Sequence, residues 1–388
     1  MIKKNSIALL ATGLALSPLG QAAEDELRQK IEQLEEQNQE IMERLEATSE
    51  MLDSSSKRMG HHGGRGNTTI GGYGELHYNN LDNANGDDKT EIDLHRFILF
   101  LGHEFNEDIR FWSELEVEHT KVDDGGGEVA IEQAYVEFDL NEQMMARGGI
   151  LLVPMGIINE THEPPTFYGV ERNNVEKYII PTTWREGGVS LTGNAGSISY
   201  DLAIHSGLNA SASSDYSIRS GREAVREAPA DDLAYTARVK WTGVPGLELA
   251  AAIQLQSDVA QGTDAAAGQA TLLETHAIWG HGPFSVRGLY AVWDLDGSGP
   301  EAVGADKQEG WYIEPSYKLN QQWGVFARHS SWDNQANSNS DTETTQSDIG
   351  FNYWPHEDVV VKVDYQIQEA YAGAGEYDGL NMGIGYQF

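Results

Sequence analysis

Val359-Val360-Val361-Lys362-Val363-Asp364-Tyr365-Gln366-Ile367-Gln368 alternates apolar and polar side chains. Val359, Val361, Val363, Tyr365 and Ile367 fall on one side of an extended chain, and Lys362, Asp364, Gln366 and Gln368 on the other. A period of two is the signature of a strand with unlike faces, because successive side chains of an extended backbone point opposite ways. The pattern recurs upstream. Leu247, Leu249, Ala251, Ile253 and Leu255 alternate with Glu248, Ala250, Ala252, Gln254 and Gln256. Ile109, Phe111, Leu115 and Val117 alternate with Arg110, Trp112, Glu114, Glu116 and Glu118. From Thr68 to Phe388 the chain reads as all-β.

The connections between such runs come in two lengths. Tight ones fall at Asn106–Asp108, Asn141–Gln143, Asn194–Gly196, Gly243–Gly246, Gly280–Pro283, Asn320–Gln322 and Pro355–Asp358. Longer polar ones lie near 80–90, 120–128, 154–185, 207–231, 258–268, 295–306, 333–343 and 370–378. Seven short and eight long connections in strict alternation make sixteen strands, most of them about ten residues long. That length suits a strand crossing a bilayer at a tilt. An even count also returns both ends of the barrel to one side.

A soluble sandwich would show the same local alternation, with the polar face in water. Three features favour a barrel in lipid. The asymmetry of the connections fits short periplasmic turns and longer extracellular loops. Aromatics bracket many strands, at Phe105, Phe111, Tyr200, Trp241, Trp279, Phe284, Trp323 and Trp354, as an interfacial girdle requires. The chain also ends on Leu380, Met382, Ile384, Tyr386 and Phe388 at alternate positions. A last strand closing on phenylalanine resembles the signal read by the outer-membrane barrel assembly machinery, which makes that machinery and outer-membrane lipid the expected partners.

The N-terminal segment has a different grammar. Residues 1–23 read as a secretory signal peptide: Lys3 and Lys4 precede the apolar run Ile7–Leu16, and Gly20-Gln21-Ala22-Ala23 supplies small residues for cleavage. Residues 24–52 hold neither Gly nor Pro and fit heptads. Ile31, Asn38, Leu45 and Leu52 take position a, while Leu27, Leu34, Ile41 and Thr48 take position d. That stripe predicts a periplasmic coiled coil, with Asn38 fixing register. Ile at a with Leu at d leans toward two strands. Residues 53–67 are a Ser- and Gly-rich linker whose adjacent His61 and His62 have no fixed geometry for a metal.

Composition closes off other classes. The 388 residues carry 26 Lys+Arg and 61 Asp+Glu, a formal charge of −35, which argues against nucleic acid as a partner. There is no cysteine, hence no disulfide framework, thiolate metal site or cysteine nucleophile. The 12 histidines are scattered, and no G-x-S-x-G stands out. Neither catalysis nor a bound cofactor is expected. A structural or adhesive barrel with a closed lumen is the competing reading.

Arg147-Gly148-Gly149-Ile150-Leu151-Leu152-Val153-Pro154-Met155-Gly156 resembles the strand-to-loop segment of the phosphate-selective porin O/P family. The resemblance continues through Val170-Glu171-Arg172, Tyr178-Ile179-Ile180-Pro181 and Arg185-Glu186-Gly187-Gly188-Val189. It resumes at Phe326-Ala327-Arg328, at Asp348-Ile349-Gly350-Phe351-Asn352-Tyr353 and in the final strand, and so covers most of residues 68–388. The whole is similar to trimeric porins that carry an N-terminal periplasmic coiled coil, including ones linked to dicarboxylates. The resemblance implies a homotrimer of sixteen-stranded barrels, each narrowed by a loop folded inward. It outweighs the two-strand lean of the heptads, because barrel packing buries far more surface.

The expected fold is therefore all-β: a 16-stranded antiparallel transmembrane β-barrel preceded by an α-helical coiled coil. The expected function is passive diffusion of small hydrophilic solutes, with small anions such as phosphate or dicarboxylates as candidates. The loop expected to narrow the pore is 155–185, the longest connection, with Glu160, His162, Glu163, Glu171, Arg172, Glu176, Lys177, Arg185 and Glu186. Opposite it, alternation places Arg238, Lys240 and Arg287 on inward faces, and sets Arg110 ahead of the acidic row Glu114, Glu116 and Glu118. Arg328 shares its face with Phe326, which makes its side less plain. A charge facing lipid near the midplane costs about 2–4 kcal/mol, so these side chains belong in the lumen. Phosphate-selective members use a ladder of arginines and lysines, whereas these rows mix both signs. Net charge does not decide selectivity, because only charges within a Debye length of about 8 Å of the path count.

Overall fold

A computed structural model describes residues 68–123, 126–371 and 374–388. The signal peptide, coiled coil and linker, with Leu27, Ile31, Leu34, Asn38, Ile41, Leu45 and Leu52, lie outside the described residues. Sixteen strands follow in chain order: β1 (Thr68–Asn83), β2 (Lys89–Glu104), β3 (Ile109–Asp123), β4 (Gly126–Asn141), β5 (Met144–Leu152), β6 (Arg185–Ala195), β7 (Ile198–His205) and β8 (Ala234–Val244). Then come β9 (Leu247–Gln256), β10 (Ala270–His281), β11 (Phe284–Leu295), β12 (Lys307–Lys318), β13 (Trp323–Asp333), β14 (Thr344–His356), β15 (Val359–Glu369) and β16 (Tyr377–Gln387). Each pairs antiparallel with its neighbours, and β1 pairs with β16 to close the barrel. The seam ends at Phe388, which exchanges two 2.9 Å backbone hydrogen bonds with Gly72.

Burial is inverted relative to a soluble protein. On β15, Lys362, Asp364, Gln366 and Gln368 are buried, whereas Tyr365 and Ile367 are exposed. On β9, Gln254 and Gln256 are buried, whereas Leu249 and Leu255 are exposed. Polar side chains line the inside and apolar ones face out, as a barrel in lipid requires. Phe105, Trp279, Phe284 and Trp323 are exposed near the short-turn end. Trp354 departs from the expected girdle. It is buried against Tyr168 and Phe326 inside the barrel, with the Lys318 ammonium 3.5 Å from its ring centroid.

All seven tight connections fall between strands. The long connections expected near 80–90 and 120–128 are instead mostly strand, because β1–β4 run 15 or 16 residues. These hairpins carry polar residues on both faces at their far ends, so the period-two contrast fades although the ladder continues. The remaining long connections gather at one end, and two of them, L3 (153–184) and L4 (206–233), fold into the lumen.

Candidate functional site

L3 starts where the Arg147–Gly156 segment leaves the wall. Gly149 has φ +143, and a Cβ there would come within 2.2 Å of the Ala134 carbonyl, so only glycine lets β5 lie this close to β4. Gly156 turns the chain inward at φ +75, where a Cβ would sit 2.5 Å from the Glu176 carboxylate. Asn159 ties the two stems together. Its amide donates to the carbonyls of Val153 and Trp184 at 2.8 and 3.0 Å and accepts from the Trp184 N–H at 2.7 Å.

Glu176, expected among the pore charges, borders the charged cavity on the side of β1–β4, but it is wholly buried and organises the loop. It accepts the N–H groups of Ile157 and Ile158 at 2.7 Å, the Asn173 amide at 3.0 Å and the Tyr312 hydroxyl at 2.9 Å. Glu186 likewise turns inward, accepting from Ser206 at 2.5 Å and from the Trp184 indole at 3.1 Å.

Around the barrel, wall residues hold the loop down. Arg96 donates to the His162 carbonyl at 2.8 Å, and the Val170 N–H donates to Asp364 at 2.6 Å. His77 meets Glu171 at 3.1 Å, and the Trp293 indole donates to the Ile179 carbonyl at 2.9 Å. An apolar core of Met155, Ile179, Ile180, Trp184, Leu208, Ile218, Leu272, Trp293 and Tyr312 packs L3 and L4 against β10–β12. That side of the lumen is filled, which leaves the polar space on the side of β1–β4.

There a cavity of about 400 Å³ is lined by two opposed sets of charge. The wall contributes Glu75, Glu116, Glu118, Glu128 and Glu132 beside Arg96, His77 and His95; the loops and the first residue of β6 contribute Arg172, Lys177, Arg185, Arg219 and Arg222 beside Glu171 and Glu176. Arg172 donates to the Thr183 hydroxyl at 3.0 Å, Arg219 to the carbonyls of Lys177 and Thr182, and Arg222 to the Thr183 carbonyl at 3.1 Å. Arg185 approaches Glu128 and Glu132 only to 3.8 and 4.0 Å. Burial, and then Arg219, Arg185 and Arg172 beside it, pull the Arg222 guanidinium down to about 10. It is charged at neutral pH, in a field that favours an incoming anion.

The expected wall cations fare differently. Arg238 bonds Asp201 at 2.7 Å and also Glu160, which removes both from the free charge of the lumen. Arg328 does face inward, bonded to Asp348 at 2.9 Å, and Arg287 bonds Glu314 at 3.1 Å. Arg110 bonds Asp139 at 2.6 Å and Glu137 at 2.9 Å at the short-turn end, and not the acidic row that follows it on β3. Lys240 and Glu163 are half-buried outside the cavity lining, and Glu114 and His162 are buried beneath it. Both sides of the cavity thus mix signs, with the basic excess on the loops and the acidic excess on the wall, where a basic wall was expected. The cause is pairing across strands, which neutralises each wall arginine locally. Arg219 and Arg222 went unread in the sequence because L4 has no period. Their one signal was two arginines close together in a long connection.

The description "Phosphate-selective porin O and P" fits residues 69–388. A protein of unassigned function from Aquifex aeolicus (strain VF5) is 33% identical in an alignment 351 positions long that covers 82% of this chain and 80% of that one. Among solved structures, an anion-selective porin from Comamonas acidovorans superposes with a TM-score of 0.57 at 14% identity, covering 83% of this chain and 100% of that one. The trimer form of OmpT of Vibrio cholerae gives 0.55 at 12% identity, over 84% and 100% of the two chains. At such identities these structures speak to the fold alone, a closed sixteen-stranded porin barrel. The family match extends over the whole barrel: this chain belongs to the phosphate-selective porin O and P family and is an outer-membrane porin.

Proposed function

We propose that this porin passes small hydrophilic anions by passive diffusion, with Arg172, Arg185, Arg219 and Arg222 as the selective contact. One observation carries the reading. Among the described residues, these four guanidinium groups line the cavity without a carboxylate at hydrogen-bond distance, whereas the arginines of the wall have one. Guanidinium forks without a hydrogen-bonded carboxylate suit the paired oxygens of phosphate and carboxylate, which they bind bidentately. The acidic wall across the cavity makes a transverse field that orients a solute and limits how tightly an anion is held, as conduction requires. The resemblance between this chain and an anion-selective porin favours the same sign.

The assembly we assign is a homotrimer, supported by the resemblance and by the trimer form of the OmpT structure; native mass spectrometry of the purified protein checks it. In this reading the long-loop end is extracellular, and the coiled coil lies in the periplasm. The C-terminal strand ending on Phe388 is the contact for the barrel assembly machinery.

Reversal potential across a KCl gradient in a planar bilayer tests the selectivity. The expected sign is anion-directed, with block by millimolar phosphate or succinate. Replacing Arg219 and Arg222 by alanine is expected to weaken that block at least tenfold. A cation-directed potential without block would reverse the reading. Folded, heat-modifiable protein with no conductance would favour the closed structural barrel.

A further inference from the structure

Beneath the acidic wall, three ligand-type atoms converge without a hydrogen bond. His162 Nε2 of L3 lies 3.6 Å from Glu114 Oε1 of β3 and 3.5 Å from Glu132 Oε2 of β4. All three residues are 3% exposed or less, and among the described residues none of these three atoms has a hydrogen-bond partner. Three unsatisfied polar atoms at one buried point would be costly in a folded barrel, because each forfeits its hydration.

The backbone goes out of its way to make this cluster. In the β3–β4 ladder Glu114 is opposite Gln133 and Leu115 is opposite Ile131, so Glu132 is the extra residue of a β-bulge. A bulge re-aims a side chain, and here it brings Glu132 inward beside Glu114. The supporting contacts are those of a ligand set. His162 Nδ1 lies 2.9 Å from the Asn159 carbonyl, to which it donates, leaving Nε2 directed at the two carboxylates. The Gln133 amide holds the other oxygen of Glu114 at 2.7 Å. The Tyr73 ring packs edge-on against the imidazole, its centroid 6.1 Å away.

The distances leave room for a metal ion. A charge-assisted N–H···O bond closes to about 2.7–2.9 Å; His276–Glu274 and His119–Asp93 do so at 2.7 Å, whereas His77–Glu75 and His276–Glu248 stand at 3.3 Å. Ligands held tetrahedrally at about 2.0–2.1 Å from a zinc ion are instead separated by about 3.3–3.4 Å from each other. The 3.5 and 3.6 Å spacings around His162 are close to that separation, and all three ligand atoms lie within 4.8 Å of one another. What sets this cluster apart is that its three facing atoms are buried without a hydrogen bond among the described residues.

We propose that His162, Glu114 and Glu132 bind one divalent cation of the zinc type, clamping L3 to the bulged wall of β3 and β4. One imidazole and two carboxylates make a three-ligand set, with water or Glu116 for the fourth position. Asn159 ties the stems of L3 and also receives the imidazole proton, so the clamp is continuous with the base of the loop. The cation sits behind the cavity wall, where it offsets part of the negative charge facing the arginines.

The test is zinc uptake by the full-length porin, stripped with EDTA, dialysed and titrated with zinc chloride under ICP mass spectrometry. The expected result is one ion per chain more than is taken up by His162→Gln or Glu132→Gln, with saturation below about 10 μM free zinc. Background sites, the exposed His356 among them, are common to all three proteins and cancel in the difference. Crystals of the unmodified porin should then give an anomalous peak at the zinc edge between the three side chains, a readout that stands even where a variant fails to fold. Uptake equal in parent and heat-modifiable variants, or an anomalous map with density only elsewhere, would overturn the site and leave a buried imidazolium between two carboxylates. Uptake is read without current, so the anion reading stands or falls separately.

Discussion

Arg96 and Arg222 line the same cavity, yet their surroundings give them opposite tasks. Arg96 is 2% exposed and bonds Glu75 at 2.6 Å, so each charge is what keeps the other tolerable in a buried place. Arg222 has only carbonyl partners, at Thr183 and Arg219, and stands among three other guanidinium groups. Its proton is held less firmly in the folded chain than in the unfolded one, since its value falls from the ordinary 12.5 to about 10. A cation of depressed value destabilises the fold while charged, and that penalty is relieved only as pH rises through about 10. Arg222→Ala is therefore expected to leave the thermal midpoint of the barrel unchanged or raised at pH 7. The heat-modifiability transition on gels measures this. A drop of several degrees would mean that Arg222 is structural, and not held in reserve for a solute.

At the scale of the element, L3 is a loop with an interior. Glu176 accepts four hydrogen bonds from Ile157, Ile158, Asn173 and Tyr312, and Asn159 joins the stems. Each N–H left unsatisfied by removal of that carboxylate costs about 1–3 kcal/mol. Glu176→Ala should thus loosen the loop, seen as protease cleavage within 155–185 and as added noise in single-channel current. Tyr312→Phe, which removes one bond of the four, should do so to a much smaller degree. Equal behaviour of the two variants would mean that the apolar core alone holds L3.

Much of this element was legible, and the illegible part has a pattern. The strands could be read because lipid and water lie on opposite faces, so each strand records its own orientation in a local alternation. Length alone singled out L3. What could not be read was pairing between strands. That Arg110 belongs to Glu137 and Asp139, or Arg328 to Asp348, depends on register across the ladder. The bulge at Glu132 and the placement of Arg219 and Arg222 are likewise consequences of contacts distant in sequence.

At the scale of the molecule, the barrel is divided lengthwise. An apolar core under L3 and L4 fills the side toward β10–β12, and the charged cavity occupies the side toward β1–β4. The formal charge of −35 is consequently a poor guide to what the pore feels. Charges more than about 8 Å from the path are screened at physiological ionic strength, and Asp87, Glu301 and Asp341 are exposed on three separate connections. Glu116, Glu118 and Glu128, by contrast, line the cavity across from the arginines. Two triple variants carry the same change of +3 in formal charge and should behave differently. Asp87→Asn, Glu301→Gln and Asp341→Asn together should leave the reversal potential where it was in 0.15 M salt. Glu116→Gln, Glu118→Gln and Glu128→Gln together should move it further in the anion direction and strengthen phosphate block several-fold. Raising the salt to 1 M, where the screening length falls to about 3 Å, should shrink the second shift while sparing contacts made directly to the guanidinium groups. Equal shifts from both variants would mean that selectivity follows the charge of the whole protein, and the local field at the cavity would lose its claim.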